Sequence, residues 1–216
     1  MDPLRVFIAV CPLAVYLVML GLIHLRRYPF VTTCSRDAAT IAIAIVGFVI
    51  VGPLELFFPE GAALRFGAWV WPLLLAFYGL CVSLVVLLMR PRIVIYNLTA
   101  EQLRPILAST VAQMDNKARW IEDALLIPSL QVHCNMEGNS WLRTVQLVAV
   151  GTKQNYDGWR RLERMLRGAL QMPHRSRSVL GVVYLALGGL LAVAATGWMM
   201  SDTVRVAQAF QEMVWR

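Results

Sequence analysis

Few residues in this chain combine in a way that supports chemistry. His133 and Cys134 are adjacent, and a His–Cys pair is the raw material of a thiolate nucleophile or a zinc site. They lie in a stretch, 130–137, where apolar and polar residues alternate. Leu130, Val132, Cys134 and Met136 share one face, and Gln131, His133, Asn135 and Glu137 the other. Neighbouring side chains on a strand point to opposite faces, so the pair cannot share a metal or pass a proton. His133 is therefore expected on a solvated face. His24, beside Arg26, is expected at a membrane interface, and His174 stands alone. The four cysteines, Cys11, Cys34, Cys81 and Cys134, show no paired spacing, so neither a disulfide framework nor a zinc pattern follows. Gly151-Thr152-Lys153 has neither the order nor the glycine spacing of a phosphate loop. G-x-S-x-G and H-E-x-x-H do not occur. No catalytic residue, cofactor ligand or metal ligand is assigned, and no cofactor is expected.

Two other groups carry charge where charge is informative. Glu55 falls inside an apolar segment, after Pro53. An acid inside a membrane marks a proton or ion path by default. Glu55 is only about a turn from Pro59, however, so it is expected near a surface, within reach of water, Arg5 or Arg65. The second group is basic. Arg160, Arg161, Arg164 and Arg167 precede Arg175 and Arg177, and Arg90 with Arg92 follows the third apolar segment. Cations beside an anionic leaflet gain about 1 kcal/mol each. These eight arginines are expected to contact anionic lipid or an acidic protein partner.

The elements that position these residues follow from composition. Hydrophobic residues make up 58% of the chain and charged residues 15%, a membrane composition. The net charge of +7 comes without base-reading motifs, so no nucleic-acid partner is expected. About 20 apolar residues cross the hydrocarbon core as a helix. Segments 6–25, 38–58, 67–89 and 179–200 meet that length. The first is read as a retained helix and not a signal peptide, because its positive pair, Arg26-Arg27, follows the apolar run. Arg26, Arg27 and Arg36 in the first loop, and the arginines after segment three, place both regions in the cytoplasm and both termini outside. Gly188, Ala192 and Thr196 on segment four, and Ala38 with Ala42 on segment two, offer small surfaces for helix packing.

The insert between segments three and four reads as α+β. Ile93 to Tyr96 forms a β-branched run. Thr99 with Gln102 matches a capping box, and Leu103, Ile106, Leu107, Val111 and Met114 follow at helical spacing. Asp115-Asn116 is the expected exit turn. Two short strands flank Glu122-Asp123, a third spans 130–137, Gly138-Asn139-Ser140 turns, and 141–150 returns. A last helix, about 157–171, has Trp159, Leu162, Leu166, Ala169 and Leu170 as its apolar stripe. After segment four, Val206, Phe210, Met213 and Val214 can form one face of an amphipathic helix.

The expectation is a membrane protein of four transmembrane α-helices (3+1), with a small cytoplasmic two-layer α+β domain, β-α-β-β-β-β-α, between helices three and four. Its parts are a three-helix anchor (1–89), the insert (90–177), a fourth helix (178–200) and an outer tail (201–216). A bacterial inner membrane fits the charge pattern. The function expected is a non-catalytic scaffold or accessory subunit of a membrane complex, partnered by other membrane-protein subunits. The alternatives are a small transporter or membrane enzyme using Glu55, Pro53 and Ser83, and a membrane-anchored ligand sensor.

Overall fold

The computed structural model describes residues 2–115, 117–122, 124–151, 154–171 and 179–214. The elements begin with α1 (Pro3–Leu25), β1 (Phe30–Thr33), α2 (Cys34–Val49), α3 (Glu60–Phe66) and α4 (Val70–Leu88). Next come β2 (Arg92–Tyr96), α5 (Ala100–Met114), β3 (Arg119–Ile121), β4 (Ala124–Ile127), β5 (Val132–Asn139) and β6 (Thr144–Ala149). The chain ends with α6 (Tyr156–Ala169), α7 (Val179–Ser201) and α8 (Thr203–Val214). They form two compact units, one of apolar helices and one α+β.

In the helical unit, four stretches are long and apolar enough to cross a membrane: Pro3–Leu25, Cys34–Leu54, Glu60–Leu88 and Val179–Ser201. The chain is accordingly a multi-pass membrane protein. Two boundaries differ from expectation. The second stretch starts at Cys34, because Asp37 in its first turn complements the positive helix terminus. The third starts at Glu60, where α3 and a 3-10 turn, Gly67–Trp69, precede α4. Pro53 lies in a π-helical turn, Ile50–Leu54. A widened turn accommodates a residue with no N–H to donate.

Close helix contacts in this unit centre on α1. A Cβ at Gly47 of α2 would overlap the Ile8 carbonyl oxygen. One at Gly188 of α7 would sit 2.9 Å from the Ala14 carbonyl oxygen. Only glycine permits such backbone approach. The other expected packing positions on α7 behave differently. Thr196 is exposed and turns its hydroxyl back on the Ala192 carbonyl at 2.7 Å, while Ala195 is buried. On α2, the Ala42 carbonyl accepts the Tyr78 hydroxyl at 2.9 Å. In α8, Val206 is half-buried and Phe210 exposed. The side chains of Met213 and Val214 lie outside the described residues.

The α+β unit takes residues 22–37 and 89–181. Its antiparallel sheet has six strands in the order β1-β2-β6-β5-β4-β3. From β2 to α6 the expected element order is found. The added strand is β1, from the loop between the first two apolar helices. It pairs Val31 with Ile95 and Thr33 with Ile93. Helices α5 and α6 pack on each other and on one sheet face. Between them Ile95, Leu103, Leu107, Leu147, Leu162 and Leu166 are fully buried. At roughly 1.5–3 kcal/mol for each large apolar side chain taken from water, this layer dominates the unit's stability.

Local chemistry sets the element ends. The Thr99–Gln102 capping box starts α5. Asp115 closes it, accepting the Ser129 and Lys117 backbone N–H groups at 2.9 and 2.8 Å. Those two bonds hold its carboxyl below the usual value. Asn116 and Asp123 lie outside the described residues. Glu122 at φ 56 supplies the positive φ of the tight β3–β4 turn. The strand expected over 130–137 starts two residues later than read. Pro128–Leu130 is a 3-10 turn and Gln131 adopts φ 51, so pairing begins at Val132. Its hairpin turn also comes later. β5 runs through Asn139, whose Oδ1 accepts the Trp141 and Leu142 N–H groups. An asparagine side chain that caps its own turn delays the return strand to Thr144.

Candidate functional site

Polar groups of the α+β unit gather where the first loop meets the sheet. Residues at alternate positions of β2 point to one face, so Arg92, Val94 and Tyr96 project opposite the core residues Ile93 and Ile95. The Tyr96 hydroxyl donates to the Asp37 carboxylate at 2.6 Å. His24 meets the Tyr96 ring edge to face, with centroids 5.9 Å apart. Its Nε2 lies 3.3 Å from the Leu142 carbonyl oxygen. Arg92 Nε donates to Cys34 Sγ at 3.1 Å, and the Cys34 thiol faces Met89 Sδ at 3.5 Å. Asn97 adopts φ 65 and donates from Nδ2 to the Arg26 carbonyl at 2.8 Å. Asparagine tolerates that left-handed geometry better than most residues.

His24, expected at a membrane interface, is 2% exposed, enclosed by Tyr96 and the β5–β6 turn. Asp37 and Tyr96 were not singled out from sequence. Their partnership spans 59 positions, and no spacing rule reaches so far. Asn97 Oδ1 is buried without a hydrogen-bond partner among the described residues; the Tyr96–Asp37 and Asn97–Arg26 bonds fasten the first loop and the start of α2 to the sheet. Among the described residues, no three His, Cys, Asp or Glu side chains converge as a metal requires.

The arginines divide into two groups. Arg160, Arg161, Arg164 and Arg167 are all exposed on α6. The buried stripe of Gly158, Trp159, Leu162 and Leu166 faces the core and turns the arginines outward. Asn155 caps this helix by accepting from the Asp157 N–H at 3.0 Å. Arg167 pairs with Glu163 at 2.6 Å. Arg90 is exposed, but Arg92 is half-buried and directs its guanidinium to Cys34 and to Gln146 Oε1 at 3.4 Å. Arg175 and Arg177 lie outside the described residues.

In the helical unit, Glu55 follows the π-helical turn and binds Arg5 at 2.5 Å. Arg5 also holds Asp2 at 3.1 Å. On β5, His133 is exposed and Cys134 is 1% exposed. Burial pushes the Cys134 thiol up to about 12, which suppresses the thiolate that a nucleophile or metal ligand needs.

The fold thus defines a class, a multi-pass helical protein bearing a two-layer α+β unit. The chain matches no known protein family, no curated protein and no solved structure, so function has to be argued from these residues.

Proposed function

We propose that the chain is a non-catalytic scaffold or accessory subunit of a membrane complex, whose α+β unit lies in the cytoplasm and docks an acidic protein partner. The observation that carries the proposal is the outer face of α6. Four exposed arginines stand there with two acids, Asp157 and Glu163, and with exposed Tyr156 and Met165 beside them. Arginine and exposed apolar side chains together form the composition of an interface core, and the unmatched positive charge selects an acidic counterpart. The termini would lie outside, and a bacterial inner membrane would be the site.

The test is native mass spectrometry of the protein extracted gently from its own membrane. A stoichiometric companion polypeptide is expected, and reversing Arg160, Arg161 and Arg164 to Glu should release it. A lone monomer or homo-oligomer, or retention of every companion after reversal, would overturn the docking reading. A second reading takes Glu55 as an ion or proton site, favoured by its position against a π-helical turn, a distortion frequent at functional sites. Glu55→Gln would then abolish a flux while leaving the fold intact.

A further inference from the structure

A cleft of about 350 Å³ opens beside β1, an edge strand of the sheet. Two guanidinium side chains from distant parts of the sequence line it. Arg36 comes from the first turn of α2 and Arg167 from the last turn of α6. Thr32, Gln171, Phe30 and Leu170 also line it. No Asp or Glu among the described residues lines the cleft.

The two arginines are in different states. Arg167 is fixed in place, donating to the Val31 carbonyl oxygen at 3.4 Å and to Glu163 at 2.6 Å. Glu163 offsets part of its charge. Arg36 is exposed and makes no hydrogen bond or ion pair with the described residues. Thr32 lines the cleft and is itself 5% exposed. A fixed guanidinium and a free one therefore share one concavity. Phe30 and the buried Leu170 give it an apolar wall.

We infer that this cleft binds a phosphate ester. A carboxylate has two oxygens in one plane, which a single arginine fork satisfies. A phosphoryl group spreads its oxygens over a tetrahedron and takes donors from several directions. Here two guanidinium groups come from different elements, α2 and α6, and the apolar wall receives the esterified carbon chain. The inference shares Arg167 with the docking face, but Arg160, Arg161 and Arg164 do not line the cleft, so reversing those three tests docking without touching this site. The phosphate belongs either to a lipid headgroup or to a soluble ester.

The experiment uses the full-length protein in an uncharged detergent, with binding followed by calorimetric titration. The two probes are glycerol 3-phosphate and dihexanoyl phosphatidic acid. Saturable binding is expected, weakened tenfold or more by Arg36→Gln and by Arg167→Gln. Arg119→Gln, on the opposite edge strand β3, should leave it unchanged. Tighter binding of the lipid assigns the site to a headgroup, and equal or tighter binding of glycerol 3-phosphate assigns it to a soluble ester. Arg36→Gln is the deciding variant, because that side chain holds nothing together and its thermal midpoint should match the wild type. No saturable binding of either probe, or an undiminished affinity in Arg36→Gln, overturns the inference.

Discussion

Replacing Tyr96 by Phe removes one oxygen atom from the junction between the first loop and the sheet. That oxygen donates to the Asp37 carboxylate at 2.6 Å, and Asp37 is 9% exposed. A hydrogen bond to a charged acceptor contributes about 1.5–3 kcal/mol net. The phenyl ring keeps its edge contact with His24, so the loss is confined to the bond. β1 is only four residues long and pairs on one side alone, with β2. It should open locally before the rest of the sheet does. At tenfold per 1.4 kcal/mol, its amides should exchange with deuterium about 10- to 150-fold faster in Tyr96→Phe. The assay is hydrogen–deuterium exchange of the full-length protein in detergent, read on peptides covering 30–33. Peptides from β5, flanked by β4 and β6, serve as the internal reference and should not change. Unaltered exchange over 30–33 would refute the assignment of Tyr96–Asp37 as the fastening. An equal acceleration in β1 and β5 would show instead that the bond supports the whole unit.

Two further predictions concern the cores of the two units. The Cys134 thiol ordinarily loses its proton near 9.0 and is pushed up to about 12 by burial. Above pH 9 the unfolded chain ionises this group while the folded chain does not, so stability is unaffected below 9 and falls as pH rises towards 12. Urea unfolding against pH should therefore show a shallower alkaline decline in Cys134→Ala; identical declines would discount the buried thiol. In the helical unit, Gly188→Leu drives a side chain into the Ala14 carbonyl and Val18, whereas a Cβ at Gly189 meets nothing within 4 Å. Overpacking of this kind costs about 1–3 kcal/mol, so Gly188→Leu should lower the thermal midpoint in detergent and Gly189→Leu should not. Equal midpoints would count against the α1–α7 contact.

Strong local patterns were legible. Twenty apolar residues in a row have one explanation, and the alternation across Val132, Cys134 and Met136 placed His133 and Cys134 on opposite faces. Capping at Thr99 and Gln102 was readable because both partners lie within four residues. What escaped was pairing over distance. Phe30-Val31-Thr32-Thr33 is too short to show a period, and only Val31 of the four enters the core cluster. The arginines around it, Arg26, Arg27 and Arg36, drew attention to charge and away from strand formation. Asp37, Tyr96 and the Arg36–Arg167 cleft are consequences of that missed strand, since each depends on β1 lying against β2 or beside α6. Pro128 illustrates a smaller failure. An alternating pattern continued back to Leu130, but proline favoured a 3-10 turn and cut the strand at Val132.

The strand that the pattern hid bears on which parts of the chain share a side. β1 follows the first apolar helix, and β2 follows the third. They exchange backbone hydrogen bonds in one sheet, in register from Phe30 with Tyr96 to Thr33 with Ile93. Strands cannot pair through hydrocarbon, where an open sheet would leave its backbone groups unsatisfied. The first loop and the insert therefore lie on the same side of any membrane that the helices cross. Two crossings, by the second and third apolar stretches, would return the chain to that side. Strand pairing requires only that the two regions share a side; which side that is rests on the proposal drawn from the arginines, through their preference for one leaflet.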